Sequence, residues 1–189
     1  DQPYNTKEIT WTVEFNKDLQ TLTNATLHDT LEGNQEYIPD TIEVYELEMN
    51  IDGTIASEKK LSNNHFGASF PLTLGDVDKA YRIVYKTKID EGDDGKTYKN
   101  NVKLTSDELK ENPLTAQATV HVERGKPLEK ITGEYDKSNQ TVEWIVKYNY
   151  DEKSIEQNKA KLTDSLTGNH ALVEDSFEVY KIEINQQTG

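Results

Sequence analysis

The sequence predicts an all-β protein, built as an antiparallel β-sandwich. Three observations carry this. Apolar and polar residues alternate at period two over several short stretches, no stretch shows a long helical period, and turn residues separate the alternating runs. In chain order, Ile9, Trp11, Val13 and Phe15 share one strand face, with Thr10, Thr12 and Glu14 on the other. Residues 42–49 change phase: Ile42 and Val44 lie on one parity, and Tyr45, Leu47 and Met49 on the other. A bulge or a switch between sheets is expected there. Tyr81, Ile83, Tyr85, Thr87 and Ile89 form the next stripe. The acidic run DEGDDG at residues 90–95 reads as a hairpin loop. Residues 106–112 (SDELKEN) read as one helical turn, capped by Ser106 and stopped before Pro113. Ala118, Val120 and Val122 form a further stripe, and Val142, Trp144, Val146 and Tyr148 another.

An internal repeat organises the chain. Residues 10–16 read TWTVEFN and residues 143–149 read EWIVKYN, an offset of 133. Residues 27–50 and 162–185 align at an offset of 135, with 11 identities in 24 positions and no gap. The change of offset falls between the two blocks, where a loop is expected. The phase change at residues 42–49 recurs at Val179 and Tyr180. The joint lies near residues 123–127 (ERGKP), where Gly and Pro punctuate the chain. Residues 54–124 have no counterpart in the second copy, and residues 126–131 have none in the first. The 189 residues therefore read as a window on a longer tandem array.

Charge and composition exclude several function classes. The net charge is −14, spread along the chain: 13 Lys and Arg face 23 Asp and Glu up to Arg124, and 8 face 12 beyond it. Nucleic acid and anionic membrane surfaces both call for clustered basic residues. No apolar run approaches the roughly 20 residues of a membrane span. With zero Cys there is no disulfide, no thiolate metal site and no cysteine nucleophile. His28, His65, His121 and His170 show no metal spacing, and no metal site is expected. Asp90, Asp94 and Gly95 fall short of a calcium loop, whose twelfth position would be Asn101 instead of Glu. No phosphate-binding loop, nucleophile elbow or dinucleotide fingerprint occurs. Trp11 and Trp144 lie on core parity and read as packing residues.

Three polar residues break the pattern. Asp29 shares the parity of Leu27 and Leu31, Asp164 that of Leu162 and Leu166, and Asn100 that of Tyr98, Val102 and Leu104. Parity admits two readings. Either the acids cap turns at strand ends and Asn100 bonds a loop, or all three point to the core. A buried carboxyl must then be protonated or hydrogen-bonded.

Residues 10–16 (TWTVEFN), L-x-D-T-L at 27–31, I-x-V-Y at 42–45, YRIVYKTK at 81–88 and YKNNVKL at 98–104 follow one another in order. Together they resemble the collagen-adhesin-type repeat domains of Gram-positive cell-wall-anchored surface proteins. The resemblance covers the first copy and all of the second that is present. It implies immunoglobulin-like antiparallel β-sandwich repeats in tandem, with residues 1–124 one repeat lacking its first strand and residues 125–189 the N-terminal half of a second. It also implies a spontaneous isopeptide bond between a Lys and an Asn, promoted by a buried acid. Carried over by motif, the acids are Asp29 and Asp164, the amide is Asn100, and the amine is Lys130, in the strand preceding Trp144. Neither copy holds all three groups: the first lacks the Lys, and the second lacks the Asn. The implied role is non-enzymatic and cofactor-free, a stalk or ligand-presenting module outside the cell, anchored through a region beyond these residues. The implied partners are neighbouring repeats, a second chain through strand exchange, and host matrix protein such as collagen. Direct collagen binding and a carbohydrate-binding accessory sandwich of a secreted enzyme are the rival readings.

Overall fold

The computed structural model describes residues 3–90 and 96–189. The chain divides into two compact units, Asp1–Glu123 and Arg124–Gly189. The expected hairpin tip at residues 91–95, with its calcium-loop likeness, lies outside the described residues.

The first unit contains β1 (Glu8–Phe15), β2 (Leu22–Glu32), β3 (Gln35–Tyr37), β4 (Glu43–Met49), β5 (Ile55–Lys60), β6 (Leu72–Val77), β7 (Ala80–Ile89), β8 (Lys96–Thr105) and β9 (Leu114–Val122). One sheet runs β1-β7-β4-β5, with β3 also on β7, and the other runs β6-β2-β8-β9. Every pairing is antiparallel. The two sheets enclose one core, to which β1 gives Ile9, Trp11 and Phe15, β7 gives Tyr81, Ile83, Tyr85 and Ile89, and β2 and β8 give Leu22, Leu27, Tyr98 and Leu104. This is an immunoglobulin-like β-sandwich, and the period-two stripes of β1 and β7 are its inner faces.

A polar chain runs through this core. Trp11 Nε1 donates to Thr87 Oγ1 at 2.9 Å, and Thr87 Oγ1 donates to Gln35 Oε1 at 2.9 Å. Gln35 Nε2 donates to the carbonyls of Glu32 and Lys99, each at 2.8 Å. Each member is satisfied, so the polar groups tie β1, β7, β3, β2 and β8 together without an orphan. Gly33 (φ 88°) turns the chain from β2 into β3, and a Cβ there would meet the Tyr98 ring at 3.0 Å. That turn moves the chain from one sheet to the other and carries Tyr37 with it.

Several local expectations change. The β4–β7 register is unbroken across the phase change, and the irregularity falls between Glu48 and Met49 against β5. Leu47 is buried outside the core cluster, by parity on the outer face of its sheet. Residues 106–112 form consecutive turns, not a helical turn. Ser106 Oγ donates to Glu108 at 2.8 Å, and Glu108 accepts from the backbone N–H and hydroxyl of Thr23. These bonds hold the Glu108 carboxyl down at about 2 and anchor the turns to β2. On β9, Val122 is buried but Ala118 is exposed, because an edge strand is covered only where the facing sheet reaches it.

The second unit contains β10 (Leu128–Asp136) and β11 (Thr141–Tyr148), paired antiparallel with Ile131 opposite Ile145 and Lys130 opposite Val146. The ends of β1 and β11 are built alike. Asn16 (φ 56°) clamps Gln20 through its amide, and Asn149 (φ 59°) clamps Lys153 the same way. Residues 162–185, whose first copy spans β2 to β4, carry no strand. In the first unit those strands pair with β6, β7 and β8, a stretch without a second copy in these 189 residues. Without ladder partners, the backbone of such a segment stays irregular.

Candidate functional site

The inner face of the first unit holds one polar cluster that is not fully satisfied. In the β2–β8 ladder Asp29 lies opposite Val102 and Asn100 opposite Leu31, which makes the two polar residues diagonal neighbours on one face. The inward parity of both is therefore real, although they are 71 positions apart. Asn100 Nδ2 donates to Asp29 Oδ2 at 3.3 Å. Tyr85 reaches across from β7 in the facing sheet; its hydroxyl accepts from Asn100 Nδ2 at 2.6 Å and donates to Asp29 Oδ2. The Asp29 carboxyl also acts on Tyr37, whose hydroxyl is pushed well above the usual phenol range by burial and this neighbour. Tyr85 and Asn100 are buried, at 0% and 3% exposure. The rings of Tyr37 and Phe70 lie 6.1 and 4.9 Å from that of Tyr85.

Two buried side-chain atoms among the described residues have no partner: Asp29 Oδ1 and Asn100 Oδ1. Both oxygens are acceptors, and they belong to hydrogen-bonded groups. One proton on Asp29 supplies the missing donor to this cluster. Burial pushes the Asp29 carboxyl up, against the lowering effect of Tyr85, Asn100 and Tyr37. Electrostatics and hydrogen-bond completeness therefore both favour a neutral acid beside the amide.

The second unit brings Lys130 and Asp164 together. Lys130 Nζ lies 2.8 Å from both carboxylate oxygens and 4.7 Å from the centre of the Trp144 ring. Asp164 follows the other of the two readings open to it: it sits in an exposed loop, accepts from the Ser165 N–H, and the Lys130 bond holds its carboxyl below the usual range. Trp144 departs from the packing role expected of it, being 41% exposed with His170 alongside. Its repeat partner Trp11 is 4% exposed. Lys130 and Asn100 lie in different units.

The sequence profile of the collagen binding domain family matches residues 1–115 and 127–188. The chain belongs to this family. Both matched stretches of the collagen binding domain profile contain one of the acid sites, Asp29 in the first and Asp164 in the second. Among solved structures, the collagen-binding subdomain of the Enterococcus faecalis surface protein ACE is similar at 10% identity, over 62% of this chain and 88% of its own, with a TM-score of 0.38. The collagen adhesin of S. aureus is similar at 18% identity, over 62% of this chain and 45% of its own, with a TM-score of 0.40. The collagen binding domain of the Erysipelothrix rhusiopathiae surface protein RspB gives 12%, 62%, 42% and 0.41. The chain thus spans under half the length of the last two. No curated protein sequence matches it significantly.

For this collagen binding domain, motif reading located Asp29 and Asn100 but not Tyr85 or Tyr37. Tyr85 reads as one more apolar position of the β7 stripe. The available signal was its hydroxyl: a tyrosine on a fully buried parity needs a polar partner, and Asp29 and Asn100 were the inward polar residues on offer.

Proposed function

We propose that the chain is an adhesive module displayed on the surface of a Gram-positive bacterium, and that its first unit is built to form a Lys–Asn isopeptide bond at Asn100 with Asp29 as the acid. The observation that carries this reading is the pair of orphan oxygens, Asp29 Oδ1 and Asn100 Oδ1. A protonated Asp29 donates to the amide oxygen and polarises the carbonyl, as a neutral acid in an apolar site can. A neutral amine then attacks Asn100 Cγ. The bond to Nδ2 breaks, ammonia leaves and an amide remains. The fold supplies the effective concentration. A covalent tie from β8 to a strand beside β1 keeps the sandwich closed under pulling.

The amine comes from a strand of the β10 type. Lys130 sits opposite Val146 and bonds Asp164; the repeat counterparts of Val146 and Asp164 are Val13 and Asp29. Among the described residues β1 pairs only with β7. A β10-type strand on the other edge of β1 therefore presents its lysine opposite Val13, toward Asp29, and a second chain can lend that strand. A synthetic peptide KPLEKITGEYDK, residues 126–137, tests this. Incubated with the chain, it is expected to give an adduct of chain plus peptide minus one ammonia, linked at Asn100. A peptide with Lys130→Arg is expected to give none. If the lysine peptide yields no adduct at saturating concentration, the reading is wrong.

The profile match over both units supports a second reading, direct binding of collagen. The chain is then expected to bind immobilised triple-helical collagen saturably and denatured collagen far more weakly. Equal binding to both, or none above an albumin control, would exclude it.

A further inference from the structure

We infer that Tyr85 carries the proton to the leaving nitrogen of Asn100, as the middle member of a relay that begins at Asp29. This rests on the isopeptide reading above. An amide nitrogen does not leave as an anion; it must gain a proton as the carbon–nitrogen bond breaks. The hydroxyl of Tyr85 is already 2.6 Å from that nitrogen, whereas Asp29 Oδ2 is 3.3 Å away. The same hydroxyl bonds Asp29 Oδ2. Tyr85 therefore links the acid to the leaving group directly, and it does so from the opposite sheet.

The ground-state bonds set the orientation. By accepting from Nδ2, Tyr85 holds the carboxamide with its nitrogen toward the phenol, and its oxygen is left without a partner, as is Asp29 Oδ1. Attack at Cγ makes the nitrogen tetrahedral and gives it a lone pair. The Asp29 proton shared with the amide oxygen passes to that oxygen as it gains charge and returns when the carbonyl re-forms. The phenol proton turns to the nitrogen lone pair while the proton that Asp29 Oδ2 has taken from the attacking amine passes to the phenol oxygen. The attacking amine releases one proton, and Asp29 takes it up. Across the cycle one proton has moved from the amine to the departing ammonia, and both Asp29 and Tyr85 end as they began. Tyr85 has to be a conduit, because burial and the Asp29 carboxyl push its hydroxyl well above the usual phenol range and a lasting phenolate there is unfavourable. The Tyr37 and Phe70 rings pack against the Tyr85 ring and fix its position.

The test compares the chain with its Tyr85→Phe variant, using the residue 126–137 peptide and following adduct mass against time, peptide concentration and pH. Phenylalanine fills the same space without the hydroxyl. The maximal rate is expected to fall at least about 100-fold, the scale of a lost acid–base group, with the peptide concentration for half-maximal rate unchanged. A rate within severalfold of the original overturns the relay. A higher half-saturation concentration at unchanged maximal rate also overturns it, because that is a binding effect. An unreactive parent chain overturns the isopeptide reading itself, and the relay with it. If Tyr85→Phe does not fold, difluorotyrosine at position 85 alters phenol acidity at nearly constant shape. Its maximal rate is expected to differ severalfold from the parent at equal thermal stability, and an identical rate overturns the relay.

Discussion

Replacing Asp29 by asparagine is expected to abolish adduct formation and, at the same time, to stabilise the first unit at neutral pH. The new side chain has the same shape. Its carbonyl still accepts from Tyr85, and its N–H₂ donates to Asn100 Oδ1, which now lacks a partner. Satisfying one buried orphan contributes about 1–3 kcal/mol. The variant has no proton to lend, so the chemistry stops. The pH dependence gives a second readout. The Asp29 carboxyl lies above its ordinary 3.8 in the folded protein because of burial. Its favourable contribution is present below that ordinary value and is lost as pH rises through the raised one. The stability advantage of Asp29→Asn is therefore expected to be smallest in acid and to grow toward neutrality. Urea unfolding across a pH series measures it. An Asp29→Asn chain that is less stable than the parent at neutral pH, or that still forms adduct, contradicts the assignment.

The largest loss of stability is expected from Trp11→Ala. Trp11 packs in the core at 4% exposure, and its indole N–H is the first donor of the Trp11–Thr87–Gln35 chain. Truncation opens a cavity and leaves Thr87 without a donor, for a combined cost of about 3–5 kcal/mol. The same change at its repeat counterpart, Trp144→Ala, removes a ring that is 41% exposed and mainly meets Lys130 and His170. A cation–π contact at such a site contributes about 0.5–1 kcal/mol, so the effect on this chain is expected to be several-fold smaller. Hydrogen exchange of β7 and β11 amides separates the two units. Equal losses of protection in the two variants would show that Trp144 is as well packed as Trp11.

The pair of tryptophans shows how far the sequence could be read. Alternation assigned β1, β7 and β11 because a strand side chain faces one side or the other and nothing else. Parity also marked Asp29 and Asn100, since a polar residue among inward apolar ones is visible without any structure. It could not mark Tyr85, whose hydroxyl meets them only across the gap between sheets. It left Asp164 open between core and turn for a related reason. Its flanking leucines have the strand pattern, but a strand needs a ladder partner, and Leu162 and Leu166 are exposed. Leu47 and Ala118 departed for lesser reasons, one covered on an outer face and the other beyond the reach of the facing sheet.

What the sequence determined by itself is local or periodic: the all-β class, the repeat, the joint near Arg124, the inward faces of the principal strands, and two of the groups that meet in the first unit. The tertiary structure decided which of these became a site. In the first unit two sheets close on each other, so Asp29 loses water, gains Tyr85 and Tyr37, and sits beside an amide with one proton missing from the set. In the second unit the same acid and tryptophan have no facing sheet, and Asp164 remains an exposed carboxylate paired with Lys130. The difference is burial: desolvation pushes the carboxyl of one copy of the motif up, and solvent leaves the other an ordinary ion pair.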